Sequence, residues 1–217
     1  MTMKEEVFMR QKRIALINDI TGYSRCSIAA QLPIISAMTI ECVLIPTAIL
    51  SINTYHPNYF FDDYTNKMDD YIETYKKINL EIDGIVTGFL GSSKQIEIVI
   101  DFIKIFKRED TFVLIDPVMG DHGKLYKTYT PQMKAKMCEL IPYATILTPN
   151  LTELYALLDV EYPNEIPSYD ELEKMCACLV DKGAKMIVVT GINVENKLIN
   201  FVYEKGESYR IVEVEKI

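Results

Sequence analysis

The chain has 217 residues, 49% of them hydrophobic and 25% charged, enough for one domain with a sizeable core. Its formal net charge of −8 argues against broad binding to nucleic acid or to an anionic membrane, so an anionic ligand needs a local electropositive pocket or a metal. Five scattered cysteines (Cys26, Cys42, Cys138, Cys176 and Cys178) suggest no disulfide framework and point to a reducing cytosol; Cys176 and Cys178, two apart on a helix, face different ways and make poor zinc co-ligands.

In chain order, Met1–Lys12 lacks the apolar centre of a signal peptide, and no later run reaches the length of a membrane span. Arg13–Ile17 reads as a buried strand, followed by the loop Asn18–Cys26, which puts Asp19 at the strand's carboxyl end. After a helix over Ser24–Ile35, a second strand, Glu41–Ile45, runs into Pro46–Ser51 and brings Thr47 to the same edge. Ser51–Tyr59, with Asn53, His56, Pro57 and Asn58, has no periodicity and reads as a flap over a site. A helix is predicted over Phe61–Ile78 and a strand over Gly84–Thr87. The small residues of Thr87–Ser92 then open a helix at Lys94–Lys107; free N–H groups there favour an anion, although Ser92 or Ser93 as a plain N-cap explains the pattern equally well.

The strand Thr111–Ile115 ends in Asp116-Pro-Val-Met-Gly-Asp-His-Gly-Lys-Leu-Tyr126, the most informative stretch of the chain. Asp116 and Asp121 suit Mg²⁺, a hard ion that takes oxygen ligands and keeps its substrate phosphates and waters. Gly120 and Gly123 let the backbone pass close to a bulky anion. Taken alone, Asp116-Pro117 is also an ordinary strand exit. His122, beside Asp121, reads as a loop residue rather than a catalyst. Helices follow at Pro131–Leu140, Thr152–Leu158 and Ser168–Lys182, and strands at Thr145–Leu147 and Met186–Thr190. Asn150 and Glu153 form a capping-box start, and with Thr148 they offer three oxygen-bearing side chains beside the Asp116 loop. Ser168 to Glu171 is a second capping box, with Gly183 as its helix's stop. Lys197–Tyr203 and Ser208–Val214 flank a hairpin turning at Gly206.

Strand–helix alternation predicts an α/β fold with a mostly parallel central sheet, helices on both faces and an antiparallel edge hairpin, in a single domain over residues 1–217. Neither G-x-x-x-x-G-K-[ST] nor G-x-G-x-x-G occurs, which excludes the usual P-loop and dinucleotide signatures.

The loops Asn18–Ala30, Pro46–Ser51, Thr87–Ser92, Asp116–Tyr126 and Thr148–Glu153, in this order, resemble the pyridoxal kinases of the ribokinase-like superfamily. The Gly-Asp continuation after Asp116-Pro-Val-Met is more similar to the pyridoxal branch than to the related hydroxymethylpyrimidine kinases, which stay as an alternative. The resemblance implies transfer of the γ-phosphoryl of ATP to the 5′-hydroxyl of pyridoxal, pyridoxine or pyridoxamine in a cytoplasmic homodimer. It implies that Asp116, Asn150 and Thr190 contact ATP. Asp116, Asp121, Thr148 and Glu153 would organise Mg²⁺, with a monovalent cation as an optional companion. Thr47 matches a threonine that touches the pyridine ring, and Asp19 stands where the family usually has a serine, which leaves the preferred vitamer open.

The family's G-[TA]-G-D segment, whose backbone holds the transferring phosphoryl and whose aspartate is the base, has no counterpart up to Ile217. No catalytic base is therefore assigned within these residues. The expectation is a domain truncated at its C-terminus, either a piece of a longer kinase or a shortened vitamin-binding or regulatory relative. Turnover of the chain by itself is expected to be at least about a hundredfold slower than with that segment.

Overall fold

The computed structural model describes residues 10–126, 129–163 and 165–216. The N-terminal reading of Met1–Lys12 therefore falls mostly outside the described residues. Apolar β-formers build the first strand, β1 (Arg13–Tyr23), and a helix, α1 (Ser27–Ala37), returns the chain to β2 (Glu41–Ile52), which lies parallel to β1. A short strand, β3 (Phe61–Asp63), folds back antiparallel on β2 before α2 (Thr65–Lys77). Three further strands, β4 (Gly84–Thr87), β5 (Phe112–Ile115) and, past a small hairpin of β6 (Gly120–Asp121) and β7 (Lys124–Leu125), β8 (Ile146–Leu147), extend the parallel sheet. Between them run α3 (Ser93–Phe106) and α4 (Pro131–Cys138). The chain continues through α5 (Leu151–Leu158) and α6 (Tyr169–Asp181) to β9 (Met186–Val194), β10 (Lys197–Glu204) and β11 (Arg210–Glu215). The nine-stranded order is β11-β10-β9-β8-β5-β4-β1-β2-β3, with β10 and β11 antiparallel at one edge and β3 antiparallel at the other.

Alternation along β1 divides the core. Ala15 and Ile17 pack with residues of α2 to α6 on one face, whereas Ile14 and Leu16 meet Ile28 of α1 on the other. The strand–helix alternation and the Gly206 hairpin are as the pattern predicts, and Gly206 takes a φ of +83°.

Three local expectations need correction. Asn18–Tyr23 is strand rather than loop, because the matching stretch of β2 gives it a partner: Ile20, Thr21 and Tyr23 pair with Ile49, Leu50 and Ile52. Ser51 and Ile52, read as flap, belong to β2. Phe61–Asp63, read as the start of a helix, pairs with Ala48–Leu50, and tertiary pairing outweighs the helical pattern. The register of β1 on β2 slips between Asn18–Pro46 and Ile20–Ile49, so β2 carries one extra residue there. No helix among the described residues is long and apolar enough to cross a membrane.

Candidate active site

The site forms at the carboxyl ends of the parallel strands, where open α/β sheets take their ligands. Beyond β5, the chain from Asp116 passes into the β6–β7 hairpin, whose two-residue turn, His122 and Gly123, holds φ values of +50° and +74°. A Cβ at Gly120 would lie 2.3 Å from the Lys124 carbonyl oxygen, so only glycine lets the two strands close.

The N-terminus of α5 clasps this acidic loop. The Asn150 side chain caps α5 by accepting from the Glu153 N–H (3.0 Å), and its amide donates to the Gly120 carbonyl (2.8 Å). Glu153 answers with both oxygens: one accepts from the Asn150 N–H (2.9 Å), the other from the Met119 N–H (3.0 Å). Thr152 accepts from the Gly123 N–H at 2.8 Å. Next to α5, Asn150 bridges Thr190 of β9, whose N–H reaches the Pro149 carbonyl. A cleft of about 500 Å³ opens here, lined by Asp121, His122, Asn150, Thr190, Gly191 and Tyr162 among others. Three of the residues expected around ATP and metal thus share one cleft wall.

Two carboxyl groups are electrostatically unsettled. Burial raises Asp116 to about 7, and burial followed by the Asp116 charge raises Glu153 to about 8, against the backbone N–H groups that favour its ionised form. Neither takes part in an ion pair among the described residues. Burial, then Tyr55, Glu153 and Asp121, push the Tyr126 hydroxyl up to about 12, which links the flap residue Tyr55 to the acidic loop.

The four residues expected to hold Mg²⁺ do not close into a cage: no group of three or more His, Cys, Asp or Glu side chains is placed to hold a metal among the described residues. Glu153 is committed to backbone donors, the Thr148 hydroxyl points to the Ile115 carbonyl at 3.4 Å, and the Asp121 side chain is 44% exposed. What fits a hard cation is Asp116, an oxygen donor without a basic partner, with Glu153 behind it. This suits Mg²⁺, which binds through one or two carboxylates and completes its shell with substrate oxygens and water.

Asp19 and Thr47 lie on neighbouring strands, but both are buried. The Asp19 carboxylate accepts from the Thr21 hydroxyl at 2.6 Å, and the Thr47 hydroxyl donates to the Phe89 carbonyl at 2.8 Å. The Thr47 hydroxyl is therefore already engaged by the Phe89 loop and does not line an open surface. The His122 ring is exposed and 3.5 Å from Asp121. At α3, Ser92 is the N-cap, accepting from the Gln95 N–H at 3.2 Å, which is the plain capping role.

Two residues at this edge escaped sequence reasoning. Asn18 accepts from the Phe89 N–H at 2.9 Å, and a Cβ at Gly88 would come within 2.2 Å of its amide. Gln95 is fully buried with four polar partners. A signal existed for Gln95: it stands on the otherwise apolar stripe that continues through Val99, Phe102 and Phe106 of α3.

A family pattern described as phosphomethylpyrimidine kinase matches residues 26–217. A pyridoxal kinase of Haemophilus influenzae is 31% identical over 120 residues, covering 54% of this chain and 40% of that protein. A Bacteroides thetaiotaomicron protein, provisionally named a phosphomethylpyrimidine kinase and crystallised with pyridoxal, is 37% identical with a TM-score of 0.91, over 96% of this chain and 74% of its own. The pyridoxal kinase of Entamoeba histolytica is 26% identical with a TM-score of 0.85, over 96% of this chain and 75% of its own. The chain thus spans less than half the length of the first curated relatives it matches, and about three quarters of these solved chains.

Proposed function

The chain belongs to the phosphomethylpyrimidine kinase family, and from that membership we propose that it supplies the vitamin- and nucleotide-binding parts of an ATP-dependent kinase acting on the 5′-hydroxyl of pyridoxal or a sibling vitamer. The observation that carries this reading is the likeness to the Bacteroides protein crystallised with pyridoxal, at 37% identity over 96% of the chain. The site's geometry agrees with it. The cleft between Asp121, Asn150 and Thr190 has room for a nucleotide's phosphates, and in this reading the vitamer would dock at the neighbouring Thr47–Phe89 wall.

In this proposal Mg²⁺, held by Asp116 with Asp121 and Glu153 acting directly or through water, would neutralise charge on the transferring phosphoryl. The protein's part is to hold and orient. Asn150 fixes the acidic loop, Glu153 holds the Met119 and Asn150 N–H groups, and Asp116 stands buried at the start of that loop. A homodimer and a cytoplasmic location belong to the same proposal, supported by the family resemblance; light scattering tests the first.

A second reading, phosphorylation of a hydroxymethylpyrimidine, is favoured by the description of the matching family pattern. Titration calorimetry separates the two. Pyridoxal is expected to bind in competition with pyridoxine, and Thr47→Ala, by releasing the Phe89 carbonyl and loosening that loop, to weaken it about fivefold. Binding of a hydroxymethylpyrimidine in preference to pyridoxal would transfer the assignment to the second reading.

A further inference from the structure

Resting on the kinase reading above, we propose that Gln95 is a positioning residue that locks the vitamin-facing wall to the base of the β2–β3 hairpin that carries the flap, so that affinity for the vitamer, and not for the nucleotide, depends on its amide. Gln95 sits in the first turn of α3 with no exposed surface. Its oxygen accepts from the Gly91 N–H at 2.7 Å. Its nitrogen donates to the Thr47 carbonyl and the Thr65 hydroxyl, each at 2.8 Å, with Asp63 at 3.2 Å sharing those two protons.

These partners come from four separate pieces of chain: β2, β3, the start of α2 and the loop after β4. The flap runs from the end of β2 to the start of β3, and Gln95 holds the opposite end of that paired hairpin, at Thr47 and Asp63. Through Thr47 it also reaches Phe89, whose carbonyl accepts from the Thr47 hydroxyl and whose ring meets Phe61 edge-on at 6.4 Å. A fully buried amide is costly unless its bonding capacity is met. On an apolar stripe, leucine would fill the space without that demand. What the amide joins therefore accounts for its presence on this stripe. The cleft formed by Asp121, Asn150 and Thr190 contains none of these partners.

The test is Gln95→Glu in the 217-residue chain, because glutamate keeps the acceptor for Gly91 but cannot donate to Thr47 and faces the Asp63 carboxylate. Pyridoxal affinity is expected to fall about tenfold while the affinity for a non-hydrolysable ATP analogue stays within about twofold. Amide hydrogen exchange should quicken at Phe89, Gly91 and Phe61–Thr65 and stay unchanged in α5. Adding Asp63→Asn, which supplies a donor to the new carboxylate, should recover much of the pyridoxal affinity. Equal losses for both ligands, or no loss for pyridoxal, overturn the proposal. Should the parent chain bind no pyridoxal, the kinase reading fails by itself, and exchange alone decides Gln95: unaltered rates at those amides overturn it. If Gln95→Glu does not fold, Thr65→Val removes one partner and must shift exchange and pyridoxal affinity in the same direction; no shift overturns the proposal.

Discussion

The Asn150 side-chain amide lies 2.8 Å from the Gly120 carbonyl, so the residue that starts α5 also fastens the acidic loop. Two duties in one side chain can be separated by substitution. Asn150→Asp keeps a capping oxygen and loses the donor to Gly120, whereas Asn150→Ala loses both. The alanine variant is expected to lose about 1–2 kcal/mol of stability in urea unfolding, the ordinary worth of an N-cap. The aspartate variant should stay nearer the parent in stability but weaken nucleotide binding, read by calorimetry.

The Asp116–Glu153 pair predicts an unusual pH dependence. Both carboxyls titrate above their ordinary range, so the folded chain binds more protons than the unfolded one between roughly pH 4 and 8. Their contribution to stability is full at the acid end and is lost as pH rises through that window. The thermal midpoint in a chelating buffer should therefore fall from pH 5 to pH 8. Mg²⁺ with nucleotide should restore most of the loss, and Asp116→Asn should flatten the slope. A midpoint that rises with pH would contradict the pairing.

At the opposite end of the sheet the sign reverses. Burial pushes Asp83 up, but Arg10, the Arg13 N–H and Lys12 outweigh it and hold the carboxyl well below the usual range. This contribution is present above about pH 4 and is lost on further acidification. Asp83→Asn should cost about 1–3 kcal/mol, since the Arg13 N–H and the Arg10 guanidinium lose a charged acceptor. Ligand affinities should not change, because the network lies far from the carboxyl edge. Unfolding curves and pyridoxal titrations on the same sample check both halves.

Gly120→Ala should be damaging out of proportion to its size. The added methyl meets backbone, the Lys124 carbonyl, which cannot swing aside as a side chain could. The expected result is a chain that still folds, with normal far-UV circular dichroism, yet loses Mg²⁺-dependent nucleotide binding by about tenfold or more. Retained affinity would show that the hairpin is not part of the nucleotide site.

Much of this was legible in the residues. The two capping boxes, Asn150 to Glu153 and Ser168 to Glu171, are local chemistry, and both are present in the structure. The parallel strands were legible because their apolar runs are short and bounded. What could not be read depended on partners distant in sequence. Asn18-Asp-Ile-Thr-Gly22 looks like loop because its partners come only with folding: Asn18 finds Phe89, and Ile20 and Thr21 pair with Ile49 and Leu50. Phe61–Asp63 carries a helical pattern that β2 overrides. Gln95 was passed over because a single amide on an apolar stripe reveals its role only when all its partners are assembled.

The extra residue in β2 acts as a phase shifter. Before it, Val43, Ile45 and Thr47 turn inward; after it, Ala48 and Leu50 do. Length changes along this part of the chain should consequently have unequal effects. Between Ile52 and Phe61 residues can be added or removed cheaply, since paired strands hold both ends and loop closure depends only weakly on length. One codon deleted between Pro46 and Ala48 would exchange inside for outside along everything downstream in the strand, turning Leu50 to solvent and Ile49 into the core. Among natural variants of this chain, insertions and deletions should therefore accumulate in the flap and be missing from that three-residue stretch.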